Sequence, residues 1–251
     1  MKISGNTVLI TGGATGIGLA IAEKLIPLGN EIIICGRRED KLKEAKRRFP
    51  QIHILKCDVT KESEQRELFE WTEKNFPELN ILINNAGVMR MIDLKTGQID
   101  KNDEIDTNLK APINIARLFT PHLMKQKEAA IVNVSSGLAF APLAITPIYC
   151  ATKAGLHSFT LSLRHQLANT SVKVFEIIPP RVDTELGMGD RGGRETMEDK
   201  GINVSQMAGA VIRGIENNIY EISVGMSDGL KSASREQLNE AFKRMNQQIE
   251  R

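Results

Sequence analysis

The stretch TVLITGGATGIG, residues 7–18, joins an apolar run to a glycine-rich turn close to the start of the chain. The run TVLIT is short and rich in β-branched residues, which is typical of a buried strand. Gly12, Gly16 and Gly18 follow it, and glycine lets a backbone take φ > 0 and approach a ligand closely. The stretch therefore predicts a strand, a glycine turn and the start of a helix.

Six further apolar runs along the chain are also typical of buried strands. They are EIIICG (31–36), IHILKC (52–57), NILINN (80–85), AAIVNVSS (129–136), VKVFEII (172–178) and EISVG (221–225). Helical patterns lie between them at 16–28, 39–48, 62–75, 100–126 and 148–168. This alternation predicts a doubly wound, seven-stranded parallel sheet with helices on both faces. Because no linker divides the chain, a single domain over residues 1–251 is expected.

Composition excludes several classes of function. The chain has 251 residues and a formal net charge of only +2, which is too small to indicate nucleic-acid binding. Its three cysteines and four histidines lack the spacing of a disulfide framework or a metal site, so no metal is predicted. The glycine turn follows the amino-terminal residues too closely to leave room for a signal peptide, and no apolar run approaches the ~20 residues of a membrane span. A cytoplasmic protein is expected.

The glycine turn is a candidate site for a phosphate group. The start of the following helix offers unpaired N–H donors and the positive end of the helix dipole, which favour an anion such as a pyrophosphate. The Gly-Lys-Ser/Thr ending of a Walker loop is absent. A dinucleotide is therefore the favoured ligand, and a tight turn without a ligand is the alternative.

The end of the second predicted strand bears on which dinucleotide binds. An acidic residue there would accept hydrogen bonds from the free 2′-OH of NAD, but the chain has Gly36, Arg37 and Arg38. Gly36 leaves space, and the guanidinium of Arg37 suits a phosphate. The pattern favours NADP (NADPH) over NAD. The alternative is that both arginines only begin the solvated face of the next helix.

Ser136, Tyr149 and Lys153 form the candidate catalytic group. Tyr149 and Lys153 are four residues apart near the start of a predicted helix, so they share one face, and Ser136 ends a neighbouring strand. An ammonium beside a phenol favours the phenolate, so we expect a lowered pKa for Tyr149. Tyr149 would then act as general acid or base on a carbonyl/alcohol pair while Ser136 holds the substrate oxygen.

Several motifs together resemble the short-chain dehydrogenase/reductase family, in its short single-domain branch. They are TGGATGIG (11–18), NNAG (84–87), Asn108, Ser136 and YCATK (149–153), in the family's order and spacing. The stretches ICGR, FTPHLMKQ, SGLAFAPLA and YCATKAGLHSF are further similar to the DltE-type oxidoreductases, which implies a bacterial source. The resemblance implies a Rossmann-type fold and a homodimer or homotetramer formed through the helices at 100–126 and 148–168.

The resemblance also implies roles for the site residues. Asn108 joins Ser136, Tyr149 and Lys153 as a catalytic residue, because it would bend its helix and hold a water that links Lys153 to solvent. The implied cofactor-binding residues are Gly12, Thr15, Gly16, Ile17, Gly18, Arg37, Arg38, Asp58, Val59, Asn85, Ala86, Gly87, Tyr149, Lys153, Pro179, Val182 and Thr184. Of these, Lys153 would contact the nicotinamide ribose and Thr184 the carboxamide.

Pro180 departs from the family pattern, in which a glycine usually follows the proline after the sixth strand. Proline fixes φ and donates no N–H, so the backbone beside the nicotinamide is expected to be shaped differently.

Two segments stand outside the alternation of strands and helices. The stretch 185–203 is rich in glycine and charge, and it is either a surface excursion or a mobile lid that orders when substrate and cofactor bind. The stretch 234–250 has Leu238, Phe242 and Met245 at i, i+4 and i+7, which predicts an amphipathic helix that covers the body or a neighbouring subunit.

The favoured function is an NADP-dependent oxidoreductase that acts on a small-molecule carbonyl or alcohol. A non-catalytic dinucleotide-binding sensor or scaffold is the main alternative, although such a protein needs no proton relay. Sugar-nucleotide epimerases also use Tyr-x-x-x-Lys, but they are longer and carry a substrate domain. The loops at 88–97 and 137–147 are too mixed in composition to indicate the substrate.

Overall fold

The computed structural model describes residues 1–97, 103–186 and 201–247. Its seven strands are β1 (Thr7–Thr11), β2 (Glu31–Gly36), β3 (His53–Lys56), β4 (Leu79–Asn84), β5 (Ala129–Val134), β6 (Val172–Ile178) and β7 (Glu221–Ser223). All of them pair in parallel, in the order β3-β2-β1-β4-β5-β6-β7. The predicted seven-stranded doubly wound sheet is confirmed. Strand order reverses between β1 and β4, where ligands bind in such sheets.

Eight α-helices are present in the described part of the chain. They are α1 (Gly16–Leu25), α2 (Glu39–Arg48), α3 (Glu62–Asn75), α4 (Ala111–Leu123), α5 (Pro147–Gln166), α6 (Val204–Glu216), α7 (Met226–Ser232) and α8 (Arg235–Gln247). Successive side chains of β1 point to opposite faces of the sheet. Val8 and Ile10 pack with α1, α2 and α6, whereas Leu9 packs with α3, α4 and α5. The helices therefore cover both faces of the sheet.

Two predicted helices differ from the observed ones. The helix expected at 16–28 ends at Leu25, because the chain tightens into a 3₁₀ turn around Pro27 that Gly29 closes with φ +73°. The long helix expected at 100–126 contains a π-helical turn, Asp106–Lys110, immediately before α4. Its predicted start, at residues 100–102, lies outside the described residues.

Two helices were not predicted. Met207, Ala208, Val211 and Ile215 are buried along one face of α6, and this helical spacing was a usable signal. With only seven residues, α7 is too short to show a helical spacing of apolar residues. Both helices follow residues 185–203, where the alternation of predicted strands and helices is interrupted.

The last helix, α8, packs on the body of the same chain. Its Ala241 is buried against Ala141 and Leu230. The side chain of Asn246 accepts a hydrogen bond from the Ala144 N–H at 2.5 Å and donates one to the Pro142 carbonyl at 3.2 Å. α8 thus covers the loop at 137–147, which follows β5. Within the described ranges, no helix is both long and apolar enough to cross a membrane.

Candidate active site

Ser136 and Tyr149 meet just beyond the carboxyl end of β5. Ser136 caps a short 3₁₀ turn, and its Oγ accepts a hydrogen bond from the Leu138 N–H at 3.1 Å. Tyr149 comes from the first turn of α5, and its hydroxyl lies near enough to the Ser136 side chain for Ser136 to affect its pKa. Both residues are buried.

Lys153 lies one turn after Tyr149 on α5 and is buried with it. Its Nζ donates a hydrogen bond to the Val134 carbonyl at 2.7 Å and lies 5.6 Å from the centre of the Tyr149 ring. The structure therefore brings Ser136, Tyr149 and Lys153 together, as the i, i+4 spacing and the strand end predict.

Burial controls the proton affinities of this group. Burial raises the pKa of Tyr149 to about 12, although the hydrogen bond with Ser136 works to lower it. Burial lowers the pKa of Lys153 to about 8, against the charge of Glu176, which raises it. The expected lowering of the Tyr149 pKa is therefore wrong for the structure described. The Lys153 ammonium is directed at a carbonyl rather than at the phenol, so burial dominates, and Tyr149 stays protonated at neutral pH.

Asn108 lies inside the π-helical turn and is fully buried. Its Oδ1 accepts a hydrogen bond from the Val88 N–H at 2.9 Å, and its Nδ2 donates to the Val88 carbonyl at 2.8 Å and to the Thr152 Oγ1 at 3.2 Å. A Cβ added at Gly87 would lie 3.4 Å from the Asn108 Oδ1 and 3.7 Å from the Lys153 Nζ. Asn108 thus joins the loop after β4 to the helix of Tyr149 and Lys153.

The glycine turn packs directly against the stretch NNAG. Gly12 has φ +62°, and a Cβ at this position would lie 2.8 Å from the Cα of Ala86. Asn85 donates hydrogen bonds from Nδ2 to the carbonyls of Thr11 and Gly12, each at 3.0 Å. Any side chain at Gly12 would push these two segments apart, so the turn needs glycine for space as well as for its backbone angle.

Four of the other predicted cofactor residues have different neighbours. Thr184 reaches the turn, since its Cγ2 would lie 3.3 Å from a Cβ at Gly16. The Pro179 carbonyl accepts from the Gly137 N–H at 2.9 Å, so it adjoins the Ser136 side of the site. Val182 forms an isolated parallel β-bridge with Ile202. The Asp58 Oδ1 accepts a hydrogen bond from the Thr60 Oγ1. Of the predicted lid at 185–203, residues 187–200 lie outside the described residues.

Both candidate arginines for a 2′-phosphate form ion pairs. The Arg37 Nη1 lies 2.9 Å from the Asp103 Oδ2, and the Arg38 Nη1 lies 2.8 Å from the Glu185 Oε2. Arg38 also donates to the Oγ1 of Thr15 in the glycine turn at 3.0 Å. Beside them, a Cβ at Gly36 would meet no atom within 4 Å. This open space and the two guanidinium groups fit a phosphate of a bound dinucleotide.

His157 forms an ion pair with a buried carboxylate. It lies one turn after Lys153 on α5, and its Nδ1 is 2.9 and 3.1 Å from the two carboxylate oxygens of Glu176 on β6. Glu176 is fully buried. The hydrogen bond to this carboxylate raises the pKa of His157, against its partial burial. No sequence signal points to the pair, because the two residues lie on different elements.

Replacing His157 with alanine should lower the free energy of unfolding by about 2–3 kcal/mol at pH 5.5, because it removes the partner of a buried carboxylate. The raised pKa of His157 means that this stabilisation is complete below the unfolded value of 6.5 and is lost as pH rises through the folded value. Urea unfolding at pH 5.5 and 8 measures the difference. His165→Ala, on an exposed part of the same helix, is the control. An equal loss at both pH values would contradict the ion pair.

No group of His, Cys, Asp or Glu in residues 1–97, 103–186 and 201–247 could hold a metal ion. Cys35, Cys57 and Cys150 are buried and not linked by disulfides. The Cys150 Sγ accepts a hydrogen bond from the Leu143 N–H at 3.3 Å, as a small buried thiol can.

Comparison with known proteins agrees with this geometry. The family model for short chain dehydrogenases matches residues 6–195. An uncharacterized oxidoreductase of Bacillus subtilis, DltE, is 49% identical over 251 residues, which is 99% of each chain. A short chain dehydrogenase from Burkholderia cenocepacia, solved in complex with NADP, is 26% identical with a TM-score of 0.80, and the match covers 96% of this chain and 99% of that one.

A second solved structure shares the fold. It is a short chain dehydrogenase/reductase from Burkholderia phymatum in complex with NAD, 22% identical, with a TM-score of 0.79 and coverage of 89% of this chain and 90% of that one. The family match and the DltE relative confirm both the predicted family and the similarity to DltE. The chain therefore belongs to the short-chain dehydrogenase/reductase family and is an NAD(P)-dependent oxidoreductase.

Proposed function

We propose that this protein is an NADP-dependent oxidoreductase that interconverts a small-molecule carbonyl compound and its alcohol, with Tyr149 as general acid and base. The observation that carries the proposal is the buried group of Ser136, Tyr149 and Lys153 at the carboxyl edge of the sheet, with the stretch NNAG between Lys153 and the glycine turn. A bound nicotinamide would supply or accept the hydride in this reaction.

The proton chemistry would come from the chain itself. In the reductive direction Tyr149 donates its proton to the carbonyl oxygen, and the raised pKa supports this, because the hydroxyl is protonated at neutral pH. Ser136 donates a hydrogen bond to the same oxygen and orients it. The Lys153 ammonium stabilises the phenolate that remains. Alcohol oxidation reverses each step, with the phenolate as base.

The cofactor would be held by three parts of the chain. The glycine turn and the first N–H groups of α1 would bind the pyrophosphate. Arg37 and Arg38 would bind the 2′-phosphate, and Lys153 the nicotinamide ribose. The open space at Gly36 and the absence of an acidic residue at this strand end support NADP over NAD.

Wild-type protein should bind NADPH about 10- to 100-fold more tightly than NADH, and Arg37→Ala should remove most of this preference. The reason is that a guanidinium forms charge-assisted hydrogen bonds with a phosphate that NADH lacks. Fluorescence titration of both reduced cofactors measures the effect. Arg48→Ala is the control, because it removes another exposed arginine, which pairs with Glu23 in the same way. Equal affinities in the wild type would refute the proposed selectivity.

A screen of carbonyl compounds with NADPH would test the reaction and identify the substrate class. Turnover of any compound separates an enzyme from a dinucleotide-binding sensor or scaffold, which would bind the cofactor without consuming it. Exposed apolar side chains at Ile105 and Leu161 also support a homo-oligomer formed through the helices around them, and light scattering would measure its size. We place the protein in the cytoplasm.

A further inference from the structure

Asp103 lies between two arginines that come from different parts of the site. Its Oδ2 is 2.9 Å from the Nη1 of Arg37, and its Oδ1 is 2.8 Å from the Nη2 of Arg90. Arg37 follows β2, and Arg90 lies in the loop that follows β4 and the stretch NNAG. One carboxylate therefore links the proposed 2′-phosphate site to the loop beside Asn108.

The two ion pairs of Asp103 differ in how firmly they are held. Arg90 has a second attachment, because its backbone N–H donates to the Oε1 of the fully buried Glu104 at 3.1 Å. The Asp103 carbonyl accepts from the Thr107 N–H at 2.8 Å, which fixes the backbone of Asp103 at the start of its helix. Arg37 is about half exposed and reaches Asp103 with its side chain alone. Of the two arginines, Arg37 is the one whose ion pair with Asp103 can break more easily.

We propose that Asp103 is a specificity-determining residue that competes with the 2′-phosphate of NADP(H) for Arg37. The proposal depends on the proposed function, in which Arg37 binds that phosphate. When the phosphate takes Arg37, Asp103 keeps Arg90 as its partner and remains close to the new anion. Competition for the guanidinium and repulsion between the two anions both weaken NADPH binding, and neither acts on NADH.

The charge state of Asp103 agrees with this competition. Burial works to raise the pKa of Asp103, but its hydrogen bonds with Arg90 and Arg37 hold the pKa below its ordinary value. Asp103 is therefore ionised at neutral pH. Glu185 pairs with Arg38 in the same manner, but both of these side chains are more than half exposed and Glu185 has no second arginine in the described part of the chain. Asp103 is thus the stronger competitor.

Asp103→Asn should tighten NADPH binding about three- to tenfold and change NADH binding by less than about twofold. Fluorescence titrations of both cofactors against wild type, Asp103→Asn and Asp103→Ser measure this. Glu23→Gln is the matched control, because it removes a carboxylate 2.8 Å from an exposed arginine, Arg48, with the same change in charge. The control should leave both affinities within about twofold of the wild type.

Unchanged or weaker NADPH binding in both Asp103 variants would overturn the proposal, as would an equal gain in Glu23→Gln. Weaker NADH binding in the Asp103 variants would also overturn it, because Asp103 would then be a ligand of the ribose. The two single variants Arg37→Ala and Asp103→Asn, compared with each other, separate this inference from the proposed function. Loss of NADPH preference in Arg37→Ala without a gain in Asp103→Asn refutes only the competition, whereas an unaltered preference in Arg37→Ala refutes the phosphate contact itself.

Discussion

Tyr149→Phe should lower turnover about 100- to 10,000-fold and leave NADPH affinity within about twofold of the wild type. The substitution removes the hydroxyl that would transfer the proton, but it keeps the aromatic ring that lies beside the Lys153 Nζ. Steady-state reduction of a carbonyl substrate found by screening measures turnover, and fluorescence titration measures binding.

The second tyrosine of the chain provides a matched control. Tyr220 stacks on Phe175 with ring centres 5.2 Å apart and is partly exposed, far along the chain from the catalytic group. Tyr220→Phe makes the same chemical change and should leave turnover within about twofold. Near-normal turnover in Tyr149→Phe would refute the proton transfer, and an equal loss in both variants would show a general effect of losing a hydroxyl.

Lys153→Met should abolish most turnover and weaken cofactor binding, yet make the protein more stable. Burial lowers the pKa of Lys153 from 10.5 to about 8, so the folded protein at pH 7 carries a protonated amine at a cost of about 3 kcal/mol. Methionine has a similar length and no charge, but it loses the hydrogen bond to the Val134 carbonyl. A net gain of about 1–3 kcal/mol at pH 7 is expected from urea unfolding.

The gain in stability should depend on pH in a defined direction. Between pH 8 and 10.5 the unfolded chain holds the Lys153 proton and the folded chain releases it, so wild-type stability rises with pH over this window. The advantage of Lys153→Met is therefore complete below pH 8 and shrinks towards pH 10.5. Lys43→Met, at an exposed lysine of α2, should show no such trend. An advantage that stays constant up to pH 10 would show that burial does not lower this pKa.

The fold was predictable because its signals are local. Each strand of the sheet is a short apolar run. The turn after β1 contains glycines, and the structure shows that Gly12 is needed for its positive φ and for its close packing against Ala86. Errors arose where a local pattern was interrupted. Pro27 ended α1 early, and the π-helical turn at Asp106–Lys110 changed a helix that looks continuous in sequence.

The candidate site was predictable only in part. Tyr149 and Lys153 share a helix, so their proximity follows from their spacing. The direction of the Lys153 ammonium does not follow from that spacing. Because the ammonium donates to the Val134 carbonyl, burial rather than a contact with an ammonium sets the pKa of Tyr149. The contact of Arg37 with Asp103 joins residues 66 positions apart, and such a pair depends on how the whole sheet is assembled.

The contacts of α8 have a consequence for the order in which the protein is made. Asn246 hydrogen bonds to Ala144 and Pro142, which precede it by 102 and 104 residues, and these bonds attach α8 to the loop that follows Ser136. During synthesis β1, β5 and the segments that follow them, which include the glycine turn and Ser136, leave the ribosome long before α8 does. A nascent chain can therefore assemble most of the sheet before α8 is available, and the loop that follows Ser136 gains its contacts with α8 only when this helix emerges and docks.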